Sequence, residues 1–197
     1  MTDPNMDKEN SETYGETSDS EPITVSLTDE LGRSLTCAIE RSFEIDGSEY
    51  VLLSTLDAPI EIFAWEADEE DDEEENLVDI DEDEIDEIFS TARAVLAEHD
   101  LTLYRSAFTL TAKGALPEAS EEEIITLEID DDEDIEEFQL LANFYFEEQA
   151  YAIYTPLAPL MFFARTTPRG ELELLSPEEF QAVRPELEDQ IFEGVDD

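Results

Sequence analysis

Carboxylates resist burial unless a cation accompanies them, and this chain carries 57 Asp and Glu against nine Lys and Arg. Most of its acids must therefore stay in water, and any core has to come from short apolar runs set between them. With 41% hydrophobic residues among 197, there is enough apolar material for one domain or two small ones. The formal charge of −48 repels itself, so compactness should strengthen as salt is added. The same field opposes phosphate backbones, which are recognised through Lys and Arg, and it opposes anionic membrane surfaces. Basic proteins or cations are the partners it favours. Solubility alone, or adaptation to a salty cytosol, is the competing explanation of the charge. Seven Arg against two Lys fits the salty cytosol.

Cys37 is the single cysteine, so neither an intramolecular disulfide nor a Cys-based zinc site can form, and secretion has no support. Residues 1–22 are polar, with Asp3, Asp7, Glu9 and Glu12 and no apolar stretch. They lack the central run of a signal peptide and read as a disordered acidic tail in a cytoplasmic protein. No run approaches the length of a membrane span.

Order should begin where Ile23, Val25 and Leu27 alternate with polar residues, the period of a half-buried strand. Leu35–Ile39 reads as the return strand. Phe43-Glu44-Ile45 then leads through Asp46-Gly47, a dipeptide that tolerates the positive φ of a tight hairpin, into Tyr50–Leu53. Pro59 opens another strand over Ile60–Trp65, which runs into the acids 66–75. Ile85, Ile88, Phe89, Ala92, Val95 and Leu96 then fall on one face of a helix, with Asp83, Glu84 and Asp86 at the positive end of its dipole. Leu101–Tyr104 and Phe108–Ala112 read as two more strands.

Phe43–Tyr50 is followed 101 positions later by Phe144–Tyr151, and Pro59–Ala64 is matched by Pro159–Ala164. The fold class expected is therefore α+β, as two tandem repeats, each a small antiparallel β-meander followed by a helix. The tail takes residues 1–22, the first repeat 23–117, an acidic linker 118–123 and the second repeat 124–197. Ser176, Pro177 and Glu179 form a strong start for the second helix, which Pro185 should break or kink.

Chemistry is harder to find. Asp79, Asp81 and Asp83 alternate like the first calcium ligands of an EF-hand, but Glu84 stands where Gly is needed and Ser90 where a bidentate Glu is needed. The run Asp130–Asp134 fails in the same way. His99, the single histidine, stands near the end of the first helix with no nucleophile or metal spacing around it. Asp/Glu pairs are too numerous for any one to mark acid–base catalysis. Neither the phosphate-loop nor the nucleophile-elbow patterns occur. No catalytic residue, cofactor or metal site is therefore expected.

A binding surface remains. Trp65 stands beside the acids Asp68, Glu69, Glu70 and Asp71, and the second half offers Tyr154, Met161 and Phe162. Aromatic residues and Met favour interface centres, and the unbroken Met161-Phe162-Phe163 means a strand buried on both faces or touching a partner. These eight residues form the expected surface for a basic protein. A divalent-cation-binding protein or carboxylate-based enzyme, and a mimic of nucleic acid, are the alternatives. Neither nucleic acid nor a membrane is expected as partner.

Leu27–Arg33, Asp46–Leu53, Pro59–Ala64, Ala94–Glu98, Leu110–Gly114, Tyr151–Leu157 and Leu174–Phe180 together resemble the cyanobacterial and plastid family known as domain of unknown function 3727. The resemblance spans residues 23–193, and each half is similar to the shorter bacterial domain of unknown function 1292. It implies a photosynthetic source and a cytosolic protein, and it brings no catalytic residues.

Overall fold

The computed structural model describes residues 21–67, 75–129 and 134–193. The tail expected over 1–22 therefore lies almost wholly outside the described residues. The first alternating run becomes β1 (Thr24–Thr28), antiparallel to β2 (Ser34–Ile45). The two pieces expected at 35–39 and 42–45 are one long strand, in which a bulge at Glu40 shifts the pairing between Ile39 and Arg41. Asp46 and Gly47 take φ of +51° and +78°, the hairpin geometry the dipeptide suggested, and lead to β3 (Ser48–Thr55).

The chain continues through β4 (Ala58–Ala67), β5 (Glu75–Asp79), α1 (Glu82–Ala97), β6 (Thr102–Arg105) and β7 (Leu110–Lys113). After the linker come β8 (Ile124–Ile129), β9 (Asp134–Phe146), β10 (Gln149–Pro156), β11 (Met161–Thr166), β12 (Leu172–Leu174) and α2 (Pro177–Glu193). Like β2, β9 carries a bulge, at Leu141, and Glu147 at its end takes φ of +55°.

Two tandem meander-plus-helix units do not form. The described chain is mostly β and builds two sheets, both of which draw strands from either side of residues 118–123. The smaller sheet runs β1-β2-β3-β11-β12, and the larger runs β6-β7-β4-β10-β9-β8 with β5 also on β4. Thus β11 leaves the second half to pair with β3, placing Phe163 opposite Leu52, while β4 leaves the first half to pair with β10, placing Ile62 opposite Ile153. Alternation specifies which face of a strand is apolar; it does not specify the neighbour, and that choice was invisible to a local reading.

The helices follow the same exchange. On the larger sheet α1 buries Ile88, Ala92 and Leu96 completely, against a core that includes Ile60, Ile62, Leu141, Phe144 and Ile153. Its N-cap is Asp81, whose carboxylate accepts the Glu84 N–H at 2.9 Å. On the smaller sheet α2 packs against β2 and buries Leu187 beside Phe43, Ile45 and Tyr50. Its expected capping box is present: Glu179 N–H donates to Ser176 Oγ at 3.2 Å and Ser176 N–H to Glu179 Oε2 at 3.0 Å. Pro185 does not end α2, which continues to Glu193.

Candidate functional site

Alternation along β4 gives that strand two working faces. Ile60, Ile62 and Ala64 join the core under α1, whereas Phe63 and Trp65, with Glu61 in the same phase, face the other way. Register carries this second face across the sheet. Leu77 and Asp79 on β5 stand opposite Trp65 and Phe63, Tyr154 on β10 opposite Glu61, Leu140 on β9 opposite Tyr154, and Leu127 on β8 opposite Glu136.

The centre of the face is a buried cluster of Phe63, Phe138, Ala152 and Tyr154, with Trp65, Leu77, Ile125, Leu127 and Leu140 half-buried around it. The Phe63 ring meets Phe138 at 5.9 Å and Tyr154 at 5.8 Å, edge to face in both pairs. β10 lies between the strands bearing Phe63 and Phe138. A flat sheet would set those strands about 9.6 Å apart, so the two rings lean together over β10.

Glu61, Asp79 and Glu136 share this face with the apolar cluster. Glu61 still reaches solvent, yet lost hydration raises its pKa, and the negative charges of Asp79 and then Glu136 raise it further. On the opposite face, Tyr151 donates its hydroxyl to Glu84 Oε1 of α1 at 2.6 Å. Burial, and then the bond to Glu84, push that phenol well above its ordinary value.

The expected surface is split. Trp65 and Tyr154 do meet on this face, but Tyr154 is only 2% exposed and serves as core. The Trp65 carbonyl accepts Gln149 Nε2 at 2.6 Å, which fixes the end of the β4–β10 pairing. Met161, 42% exposed, and Phe162 belong to the smaller sheet. There Phe162 packs on the Leu53 and Ala164 cluster and meets Phe108 at 6.2 Å, while Phe163 faces α2. Phe162 and Phe163 of the unbroken apolar run thus pack half-buried on opposite faces of the strand, while Met161 stays exposed. Asp68, Glu69, Glu70 and Asp71 lie outside the described residues. Sequence reasoning missed Glu61 and Glu136 and weighed Asp79 only as a calcium-loop position. The alternation Glu61-Phe63-Trp65 was available as a signal; Leu77 and Asp79 were hidden in an acidic run where no strand was expected.

A recess of about 210 Å³ opens where the β4 edge passes from β7, paired up to Ile60, to β5, paired from Phe63. Arg33, Glu61, Asp79, Arg105, Phe108 and Thr109 line it. Its cations are engaged: Arg33 with Asp29 at 2.6 Å, and Arg105 with Asp86 and, at 3.9 Å, Glu82. The volume is under the roughly 300 Å³ at which small-molecule sites begin.

Cys37 is fully buried, and burial raises its thiol pKa, which is the opposite of an activated nucleophile. Exposed His99 follows α1, its N–H donating to the Leu96 carbonyl at 3.0 Å. Among the described residues no group of three or more His, Cys, Asp or Glu stands close enough to hold a metal ion, and no helix is long and apolar enough to cross a membrane.

Residues 100–194 match the model of a family described as protein of unknown function (DUF3727), and residues 30–97 match another described as protein of unknown function (DUF1292). Each model covers less than half the chain. The first match begins at residue 100 and not at 23, and the two halves are not clearly similar. No curated protein and no solved structure matches the chain. The 30–97 match ends with α1 but omits β9, against which α1 packs.

Proposed function

We propose that this protein is a non-enzymatic interaction protein whose acidic surface receives a basic protein partner. The observation that supports this most is the excess of 57 acids over nine Lys and Arg. Among the described residues Arg33, Arg105, Arg165 and Arg184 pair with the six carboxylates Asp29, Glu82, Asp86, Glu173, Glu179 and Glu188, and with all nine cations counted the chain still carries a formal charge of −48. The remaining field speeds encounter with a cationic surface and rejects acidic competitors, while affinity resides in a few apolar anchors.

The test is a pull-down with the full chain at low salt, eluted by a salt step, followed by size-exclusion chromatography of the eluate with the chain. A discrete basic protein that co-elutes at fixed stoichiometry is expected. A spread of basic proteins recovered in proportion to their charge, with no stoichiometric complex, would overturn the reading.

A further inference from the structure

The smaller sheet curls until its two edge strands, β1 and β12, line one cleft. Val25, Ser26 and Thr28 stand on the β1 side of it, and Glu171, Leu172 and Glu173 on the β12 side. In a flat sheet of five strands those edges would lie about 19 Å apart. The cleft measures about 630 Å³, and it is open to solvent, since Ser26, Thr28, Glu171 and Glu173 are all exposed. Register fixes which backbone groups face it. Ile39 N–H donates to the Ile23 carbonyl at 2.8 Å and Asp29 N–H to the Arg33 carbonyl at 3.0 Å, so the odd-numbered residues of β1 bond to β2. The N–H and C=O of Thr24, Ser26 and Thr28 therefore point to the free edge. Across the cleft, Leu175 N–H donates to the Phe163 carbonyl at 3.0 Å and Thr167 N–H to the Glu171 carbonyl at 2.8 Å. That phase leaves the backbone groups of Leu172 and Leu174 pointing away from β11.

Strand direction and charge select the occupant. Every pairing in this sheet is antiparallel, so β1 and β12, the first and fifth strands across it, run the same way. They cannot close on each other as an antiparallel pair, whereas one more strand running opposite to both satisfies the two edges at once. Four residues of strand, about 3.3 Å each in a slot about 4.8 Å wide and about 10 Å thick, occupy about 600 Å³, the size of the cleft. Alternate side chains of such a strand turn inward, where the half-buried Val25 and Leu172 are apolar. The others lie beside Glu171 and Glu173, the charged residues that line the cleft, of which Glu173 pairs with Arg165 at 3.1 Å. Residues 1–20, 68–74, 130–133 and 194–197 supply no such strand, since no two hydrophobic side chains in them stand two positions apart. A second copy of the chain brings another −48 and is repelled. We infer that the cleft between β1 and β12 receives an extended segment of the basic partner as a sixth antiparallel strand, with alternate apolar side chains on Val25 and Leu172 and Lys or Arg side chains beside Glu171 and Glu173. The inference rests on the proposed basic partner and adds where and in what form that partner binds.

The probe is a capped peptide of alternating valine and lysine, about seven residues long so that it spans β1, titrated by calorimetry against the full chain at about 0.15 M salt. At saturation the amides of Thr24, Ser26, Thr28, Leu172 and Leu174 should exchange with solvent about tenfold more slowly, or slower still. The same peptide N-methylated at every second residue keeps its charge and side chains but loses its donors to one edge, and it should bind about tenfold more weakly. The Ser26→Pro variant removes an N–H that pairs with nothing inside the sheet, a position where an edge strand tolerates proline. It should leave the circular dichroism unchanged and weaken the peptide about tenfold. Thr126→Pro places the same ring on β8, at a free edge of the larger sheet where the Thr126 N–H also points outward, and should change affinity less than twofold. Equal binding of the two peptides, or slowed exchange that misses β1 and β12, would overturn the cleft as a strand-binding site. A dimer of the chain that Ser26→Pro abolishes would assign the cleft to a second copy and overturn the basic strand. A basic partner recovered equally by Ser26→Pro and the native chain would reject this cleft while leaving the proposed function standing. Absence of any stoichiometric partner would remove both.

Discussion

The two sheets solve the same packing problem with helices of unequal quality. On the larger sheet, α1 presents Ile88, Ala92 and Leu96 with no exposed surface, in a cluster of fifteen buried residues. On the smaller, the cluster beneath α2 has four, of which Leu187 is the helix's own, and Phe180 and Val183 are only half-buried. Yet the two share a logic, because each helix packs in part on strands from the opposite half of the chain, α1 on β9 as well as on β6 of its own half, and α2 on β2. Gln190 of α2 donates to the Glu44 carbonyl at 3.1 Å, and Glu84 of α1 accepts from Tyr151 at 2.6 Å. The difference teaches that the exchange ties both sheets into one folding problem, while the larger sheet holds most of the packing energy.

Truncating each helix's central side chain is the strongest way to break that contrast. Ile88→Ala should cost about 3–4 kcal/mol, since the surrounding core is closed and a cavity persists. Leu187→Ala should cost about 1 kcal/mol less, because half-buried neighbours such as Phe163 and Leu175 can relax into the gap. Urea unfolding followed by Trp65 fluorescence and by circular dichroism measures both. An equal cost would mean that α2 anchors as much as α1, and separate transitions would mean that the sheets do not depend on one another.

Glycines sharpen the comparison at a smaller scale. Gly114, just after β7, takes φ of +139°, and a Cβ there would stand 2.6 Å from the Asp100 carbonyl oxygen and 3.0 Å from Leu101 Cδ2. Backbone cannot yield as a side-chain tip can, so Gly114→Ala should cost about 2–3 kcal/mol. Gly170, in the turn between β11 and β12, has φ of +81° and open space around it, and Gly170→Ala should cost about 1 kcal/mol from backbone strain alone. A larger loss at Gly170 would show the smaller sheet to be the tighter body.

Local order was legible wherever one short-range signal decided it. Asp46-Gly47 fixed a hairpin, Ser176 and Glu179 a helix start, and the spacing of Ile88, Ala92 and Leu96 a buried helix face. Pairing was not legible, because Ile62 meets Ile153 and Phe163 meets Leu52 across about a hundred residues. The strand β5 was hidden by its flanking acids, and with it the two residues, Leu77 and Asp79, that extend the candidate face beyond Trp65. Tyr154 looked like a contact residue because an aromatic in an alternating strand has the same pattern whether it faces core or solvent. Local pattern thus located the apolar faces, and long-range register decided which charges came to stand beside them.

The smallest effect tests whether the face of the larger sheet opposite α1 carries electrostatic strain that the α1 face lacks. Glu61 has its pKa raised by burial, then by Asp79 and Glu136. An acid whose pKa is higher folded than unfolded binds its proton more tightly in the native state. Its contribution is therefore fully present below the ordinary value of 4.5 and is lost as pH rises through the raised value. At neutral pH the ionised carboxylate is a net cost, which Glu61→Gln removes. The variant should melt slightly higher than the native chain at pH 7, and the gain should shrink toward zero as pH falls below the ordinary carboxylate value. Added salt should narrow it too, by screening Asp79 and Glu136. A gain that persists unchanged at low pH would assign the effect to packing; a loss at pH 7 would mean that Glu61 is already neutralised by a cation on this face.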